Sequence, residues 1–273
     1  MQREDATTAR VTLGDAGTEF CLFVVSLLLV GCGSASHRML EQTIDQTYQV
    51  DRTVNISIRN RDGSVRVYGA NTTEVKLQAI KKAYSAERLN GIAVKISAQP
   101  GSVSIDTSYP SGKRSLFSDN SGTVDYVIVV PDTARITRLE LANGELLLEG
   151  MRGPAAQAHL GNGRLLAHNC FGNLDVTVST GNLGLVYDWW EQRKFAVHAN
   201  IADGNVLAFI PSDATFHLIA EALNGKIAND FTEKEQRHGE QPGRVDMLVG
   251  GSGDVSIEIR ATDGNIKISE ANP

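Results

Sequence analysis

The sequence predicts an all-β chain wound as a single parallel β-solenoid, and three observations carry that expectation. A short unit recurs eleven times: glycine, any residue, an apolar residue, any residue, and in all copies but the one at Gly225 a second apolar residue. Asn or Asp stands directly before six of the glycines, at Asp62, Asn143, Asn162, Asp203, Asn224 and Asp263. The units also return at a regular interval, 19 residues from Gly144 to Gly163, 18 from Gly163 to Gly181 and 21 from Gly204 to Gly225.

Each observation has a physical basis. Asn-Gly and Asp-Gly tolerate positive φ and turn the chain without steric cost. The alternation that follows places Val, Ile and Leu on one face of a strand and polar residues on the other. One such strand buries too little to stand alone, whereas stacked copies bury a continuous apolar ladder. Asn-Gly between alternating runs is also a hairpin signal, so an antiparallel β-sandwich is the alternative. The 18–21-residue interval, with Gly172 halfway between Gly163 and Gly181, favours coils with a corner at each half-turn.

The elements follow in chain order. Phe20–Val30 is an apolar run, shorter than the roughly 20 residues of a membrane span, and small residues follow it. This reads as a signal-peptide h-region. Leu29-Val30-Gly31-Cys32 resembles the bacterial lipobox, in which the cysteine is acylated before cleavage. Residues 1–31 are therefore expected to be a lipoprotein signal peptide and Cys32 the lipid-attachment site, with several acyl chains giving firm anchoring. The leader Met1–Glu19 is long and net negative, unlike a short positive n-region, which moves the expected start to Val11 or Leu13. Residues 32–49 are polar without clear pattern and read as a tether. The solenoid is expected over 50–270, less regular at its N-terminal side, where Val75–Ala83 and Ile92–Ile96 flank the polar Tyr84–Asn90 and cap the stack or form hairpins. The hydrophilic run Thr232–Gly243 reads as an excursion loop.

Val54-Asn55-Ile56-Ser57-Ile58 leading to Asp62-Gly63-Ser64-Val65-Arg66-Val67 resembles the opening of the putative-adhesin (DUF4097-like) domains of bacterial envelope proteins. Val124–Pro131 is similar to their middle strand, and Phe195–Val197, Gly204–Val206, Ile210–Phe216 and Asn224–Ile227 to their later coils. The resemblance spans about residues 50–270. It implies a one-domain parallel β-solenoid on a cell-envelope protein, with no known catalytic residues.

Little in the sequence asks for chemistry. The 273 residues carry 41% apolar and 21% charged side chains and a net charge of −6, which becomes −4 without residues 1–31. A mildly acidic body without basic clusters excludes nucleic acid as partner. Cys170 would be the one thiol left after processing and lipidation, so no intramolecular disulfide is expected. It reads as a small core residue.

None of the six histidines has neighbours at zinc-ligand spacing. His198 and His217, 19 residues apart, fall on the polar face and could stack on adjacent coils, but two ligands make a poor metal site and solvated imidazoles are expected. Gly250–Ile257 resembles one imperfect calcium nonapeptide, and such sites need neighbouring repeats. Asp62, Asp203 and Asp263 are corner residues, while Asp125 and Asp175 lie one per strand on a solvated face. No metal, cofactor or catalytic residue is therefore named.

Trp189-Trp190 is the one concentrated aromatic feature. It reads as a cover for the solenoid edge, or as a pair of ligand-contact aromatics for a sugar or partner surface.

Together these readings predict a non-catalytic, membrane-anchored binding, adhesion or structural module of the cell envelope, acting on an envelope polymer, glycan or protein. An envelope-stress or assembly accessory is the alternative, and a carbohydrate-active β-helix enzyme a further one. Gly33 after the lipidated cysteine favours the outer membrane in a two-membrane cell.

Overall fold

Apolar alternation along this chain changes phase at each Asp/Asn-Gly pair, and that phase change builds the fold. In the computed structural model, which describes residues 38–110, 122–232, 243–251 and 254–271, Ile56, Ile58 and Asn60 are buried before Gly63, and Val65 and Val67 after it. The parity switches from even to odd across Asp62-Gly63. A strand that bends there without switching would turn its second apolar set outward. The same switch separates Leu139 and Leu141 from Leu146 and Leu148, Val176 and Val178 from Leu183 and Leu185, and Val197–Ile201 from Val206–Ile210. Each coil therefore has two arms joined at a glycine corner, and the buried side chains of all arms merge into one core.

Among the described residues, fifteen strands and one helix carry this plan: β1 (Leu40–Gln49), β2 (Asn55–Ala70), β3 (Glu74–Ala83), α1 (Ala86–Gly91), β4 (Ala93–Gln99), β5 (Ser102–Ser108), β6 (Thr123–Pro131), β7 (Arg135–Glu149), β8 (Ala156–His168), β9 (Leu174–Val186), β10 (Phe195–Pro211), β11 (Phe216–Asn224), β12 (Ile227–Asn229), β13 (Arg244–Val249), β14 (Val255–Asp263) and β15 (Ile266–Ala271). From β2 through β7, β8 and β9 to β10 the long strands pair in parallel along both arms. That parallel stack sets aside the antiparallel sandwich and is the solenoid the spacing predicts.

Two features of the stack were not expected. Its order departs from chain order at both ends. The first coil, β2, lies between β6 and β7, and the last coil, β14–β15, is inserted between β10 and the β11–β12 coil. The rims are antiparallel: β1 on β3, β3 on β6, β4 on β5 and β13 on β11.

The second concerns the expected tether. From Leu40 onward it is strand β1, in register with β3 from Leu40↔Ala83 to Gln49↔Glu74. It carries no apolar alternation because most of its side chains are exposed at the sheet edge. Residues 1–37, and with them the expected signal peptide, Cys21 and Cys32, lie outside the described residues, as do 233–242 of the expected excursion loop and Ser252-Gly253 of the calcium-like motif.

The polar stretch after β3 forms α1. Ser85 caps it by accepting from the Arg88 N–H at 3.2 Å. The buried Lys81 ammonium donates to the carbonyls of Leu89 and Ile92 at 3.3 and 3.1 Å, satisfying acceptors at the helix C-terminus. Leu89 and Ile92 close over the core as a cap.

The corner glycines stack into a column. Gly63, Gly144, Gly163, Gly181 and Gly204 are register partners from coil to coil. At Gly144 and Gly163 φ is +135° and +133°, a conformation that L side chains rarely adopt. A Cβ at Gly144 would overlap the carbonyl oxygen of Gly63, and one at Gly163 that of Gly144. Glycine is thus required twice at each corner, by backbone angle and by the approach of the next coil.

Candidate functional site

Beside the glycine column runs a ladder of Asp62, Asn143, Asn162, Thr180, Asp203, Asp263 and Asn224, one residue per coil. Asn143 Nδ2 donates to Asp62 Oδ1 at 2.8 Å, Asn162 Nδ2 to Asn143 Oδ1 at 3.0 Å, and Asn224 Nδ2 to Asp263 Oδ1 at 2.9 Å. Asp62 and Asp263 therefore serve the corners. Asp125, on β6, is taken up by Lys82 at 3.0 Å and by Ser64, while Asp175 lies on the opposite arm of the stack, beside Gln157 and His198. Burial opposes ionisation of Asp125, yet the Lys82 and Ser64 hydrogen bonds hold its carboxyl below the ordinary value.

The two outer faces differ in character. On the first arms, Arg59, Glu140, His159, Thr177, Asn200, Arg260 and Glu221 succeed one another in register. Charges there neutralise one another: Arg59 pairs with Asp106 at 2.5 Å, Arg138 with Glu140 at 2.7 Å and Arg260 with Glu258 at 2.5 Å. His198 and His217 do not stack as adjacent coils would place them, because β14 lies between their strands. His198 Nδ1 is 3.0 Å from Glu258 and His217 Nε2 is 2.8 Å from Asp246. Among the described residues no group of three or more His, Cys, Asp or Glu side chains is arranged to hold a metal ion.

The second-arm face is apolar at its middle. Three residues past each corner, the outward column reads Arg66, Leu147, Leu166, Gly184, Leu207, Lys267 and Ala228. Gly184 leaves one place empty in a run of leucines. Leu166 leans partly over it, and a cleft of about 450 Å³ opens there, lined by Arg164, Asn182, Gly184, Asn205, Leu207 and Lys267 among others. That volume lies within the ~300–1,000 Å³ usual for small-molecule sites. Two residues farther along the same strands stand Val186 and Phe209, again on the outer face. Leu207 and Phe209 are 38% and 37% exposed, high for large apolar side chains in mid-sheet. Arg164 and Lys267 make no ion pair among the described residues, unlike Arg59, Arg138 and Arg260 of the opposite face.

This cleft was not expected from the sequence, although a signal was present. Aligning the units on their corner glycines gives Leu147, Leu166, Gly184 and Leu207 at one position, and the glycine stands out there.

The aromatic pair occupies the segment between β9 and β10. Trp190 packs against Tyr187, Phe195 and Phe216 at centroid distances of 5.5, 5.8 and 5.7 Å and covers the core edge. Trp189 is 47% exposed, its ring 5.9 Å from Phe171 and its Nε1 donating to Glu191 at 3.4 Å. Of the two, Trp189 alone offers a largely open ring. Arg152 fastens this segment to the preceding coil, with Nη2 2.5 Å from Glu191 Oε1. Cys170 is fully enclosed below it, and burial pushes its thiol up to about 11.

One family model, Toastrack DUF4097, matches residues 34–269. The chain belongs to the Toastrack DUF4097 family. Its solenoid is similar to a structure from Clostridium sporogenes ATCC 15579 described as a putative cell adhesion protein, at 16% identity and TM-score 0.50, covering 84% of this chain and 100% of that one. A structure from Bacteroides fragilis NCTC 9343 described as a putative adhesin matches at 11% identity and TM-score 0.29, covering 84% and 97%. A third, from Parabacteroides distasonis ATCC 8503 and described as a putative lipid binding protein, matches at 10% identity and TM-score 0.31, covering 84% and 97%. No curated protein matches the chain. The Toastrack body thus shares its fold with a protein described by adhesion, and its own surface supplies the chemistry.

Proposed function

We propose that this chain is an exported envelope lipoprotein, cleaved after residue 31 and held in the membrane through lipidated Cys32, whose Toastrack solenoid is a non-catalytic binding or adhesion module. The observation that carries the binding reading is the asymmetry of the two faces. One face is self-neutralised by ion pairs, and the other presents a cleft with exposed apolar walls and two cations, Arg164 and Lys267, unpaired among the described residues. The description of the Clostridium sporogenes structure as a cell adhesion protein supports an exported setting. The expected partner is an envelope polymer, glycan or protein, and Gly33 favours the outer membrane.

Strand β1 sharpens the anchoring reading. Cys32 and Leu40 are eight residues apart, a reach of at most about 29 Å when fully extended. A lipid on Cys32 would hold the β1 edge close to the bilayer rather than let the body range on a long tether.

The anchor is tested by mass spectrometry of the native N-terminus together with fractionation of Cys32→Ala. An acylated Cys32 and release of the variant are expected, and equal retention of both proteins refutes the anchor. The binding role is tested by pull-down of purified body with envelope polymers, glycans and envelope proteins. Saturable binding to one of them is expected, and no binding across the panel refutes it.

A further inference from the structure

We propose that the cleft over Gly184 is a binding site for a single-chain anionic amphiphile, a long alkyl chain ending in a carboxylate or phosphate. This deepens the binding reading above and rests on it. Polar and apolar ends of the cleft are laid out along the strands. On the corner side stand Arg164, Asn182, Asn205 and Asn265, with Lys267 beside Leu207. On the far side the face continues into Val186 and Phe209. From Asn205 to Phe209 is four residues, about 13 Å of strand at 3.3 Å per residue. A chain of ten or so methylenes lying along β9 and β10 would fill that length with its head among the cations and amides.

The width sets the chain number. Register partners in a sheet lie about 4.8 Å apart, so the missing side chain at Gly184 leaves a slot about one alkyl chain wide between Leu166 and Leu207. Two chains side by side do not fit. Charge sets the sign of the head. Arg164 and Lys267 have no ion-pair partner among the described residues, and Glu145, the register partner of Arg164, makes no ion pair with it. No carboxylate lines the cleft, so a cationic head finds no counter-charge there. A sugar would want an aromatic platform under its ring, and the floor between Leu166 and Leu207 is aliphatic.

The substitution that closes the site is Gly184→Leu. Gly184 has no left-handed φ, the same outward position holds leucine at 147, 166 and 207, and the first atom a new Cβ meets is the mobile Cδ1 of Leu166. The variant should fold, which circular dichroism and thermal melting check. Calorimetric titration of wild type, Gly184→Leu and Lys267→Glu is then run with dodecanoate and dodecyl phosphate below their critical micelle concentrations. Acetate and inorganic phosphate serve as heads without tails, and dodecyltrimethylammonium as the opposite charge.

The expected result is one saturable site for the two anionic probes, at least tenfold weaker binding of all others, and at least tenfold loss in Gly184→Leu. Lys267→Glu should narrow or reverse the preference for anions while melting like wild type. Equal binding of dodecanoate and dodecyltrimethylammonium, binding of inorganic phosphate as tight as dodecyl phosphate, or unchanged binding by a folded Gly184→Leu overturns the proposal. A wild type that captures an envelope polymer or glycan but ignores dodecanoate would sink this inference and leave the wider binding role standing.

Discussion

The backbone of Gly163 rests against the carbonyl oxygen of Gly144 one coil away, so closely that a methyl group at Gly163 would overlap that oxygen. At φ +133° the substitution also meets an unfavourable backbone angle. Gly163→Ala is therefore expected to cost more than about 3 kcal/mol, the angle accounting for about 1–3 and separation of the coils for the rest. Gly184→Ala meets only the flexible Cδ1 of Leu166 at close range, has its nearest backbone atom 3.7 Å away and is free of the angle penalty, so it should change stability by less than about 1 kcal/mol. Urea unfolding of both variants checks the contrast, and similar midpoints would contradict it.

Acid should loosen the segment that carries the tryptophans. Burial opposes ionisation of Glu191, but hydrogen bonds from Arg152 and Trp189 and the charges of Arg152 and Arg193 outweigh it and hold the carboxyl below its ordinary 4.5. A carboxyl lowered in the folded state contributes stability that is complete above about pH 4.5 and disappears as pH falls through the lower folded value. The Asp188 carboxyl, lowered by Asn169 and His168, adds to the same trend. Trp189 fluorescence should be flat from neutral pH to about 5 and change below, and Glu191→Gln should remove much of that acid transition. An unchanged transition in the variant would assign it elsewhere.

Cys170 should be inert while the chain is folded. It is buried, its Sγ contacts the carbonyls of Leu148 and His168 at 3.5 Å, and a thiol raised to about 11 is almost wholly protonated at neutral pH. Iodoacetamide should modify the Cys170 peptide more than a hundredfold faster in denaturant than in buffer, as read by mass spectrometry. Comparable rates would mean that the coil opens readily.

Shortening the chain at residue 250 should do far more than trim an end. It removes β14 and β15, whose Ile257, Ile259, Ile266 and Ile268 are fully buried between β10 and the β11–β12 coil. Each such side chain is worth about 1.5–3 kcal/mol on burial, so cooperative unfolding should vanish. A sharp thermal transition in the truncated protein would show that β10 and β11 close the gap directly.

Much of this architecture was legible in the residues, because alternation and the Asp/Asn-Gly corners are local properties. Asp62-Gly63 and Asn143-Gly144 announce a bend, and the apolar residues two and four places on announce the buried face. What was hidden depends on neighbours. Alternation says which way Ile257 points but not that its strand pairs with β10 on one side and β11 on the other. For the same reason His198 and His217 were placed one coil apart when a third strand separates them. Strand β1 was unreadable because an exposed edge needs no apolar face. The Trp189-Trp190 pair was recognised, but only packing distinguishes Trp190 as cover from Trp189 as open ring. The Gly184 cleft was hidden by its own unit, since the glycine leaves the inward alternation of Leu183 and Leu185 intact.

The insertion of the final coil bears on how such a chain can lengthen. A solenoid whose last coil lies at its tip grows by tandem duplication at the terminus. Here a duplicate appended after Ala271 would emerge beside β10, β11 and β12, whose facing edges are already occupied by β14 and β15, with β13 on the outer edge of β11. Stack order and chain order coincide only from β7 to β10, so that is the interval into which an extra 18- or 19-residue coil can be spliced with its corner glycine in line. Length variants of this body should therefore differ in the middle of the gene and keep both ends.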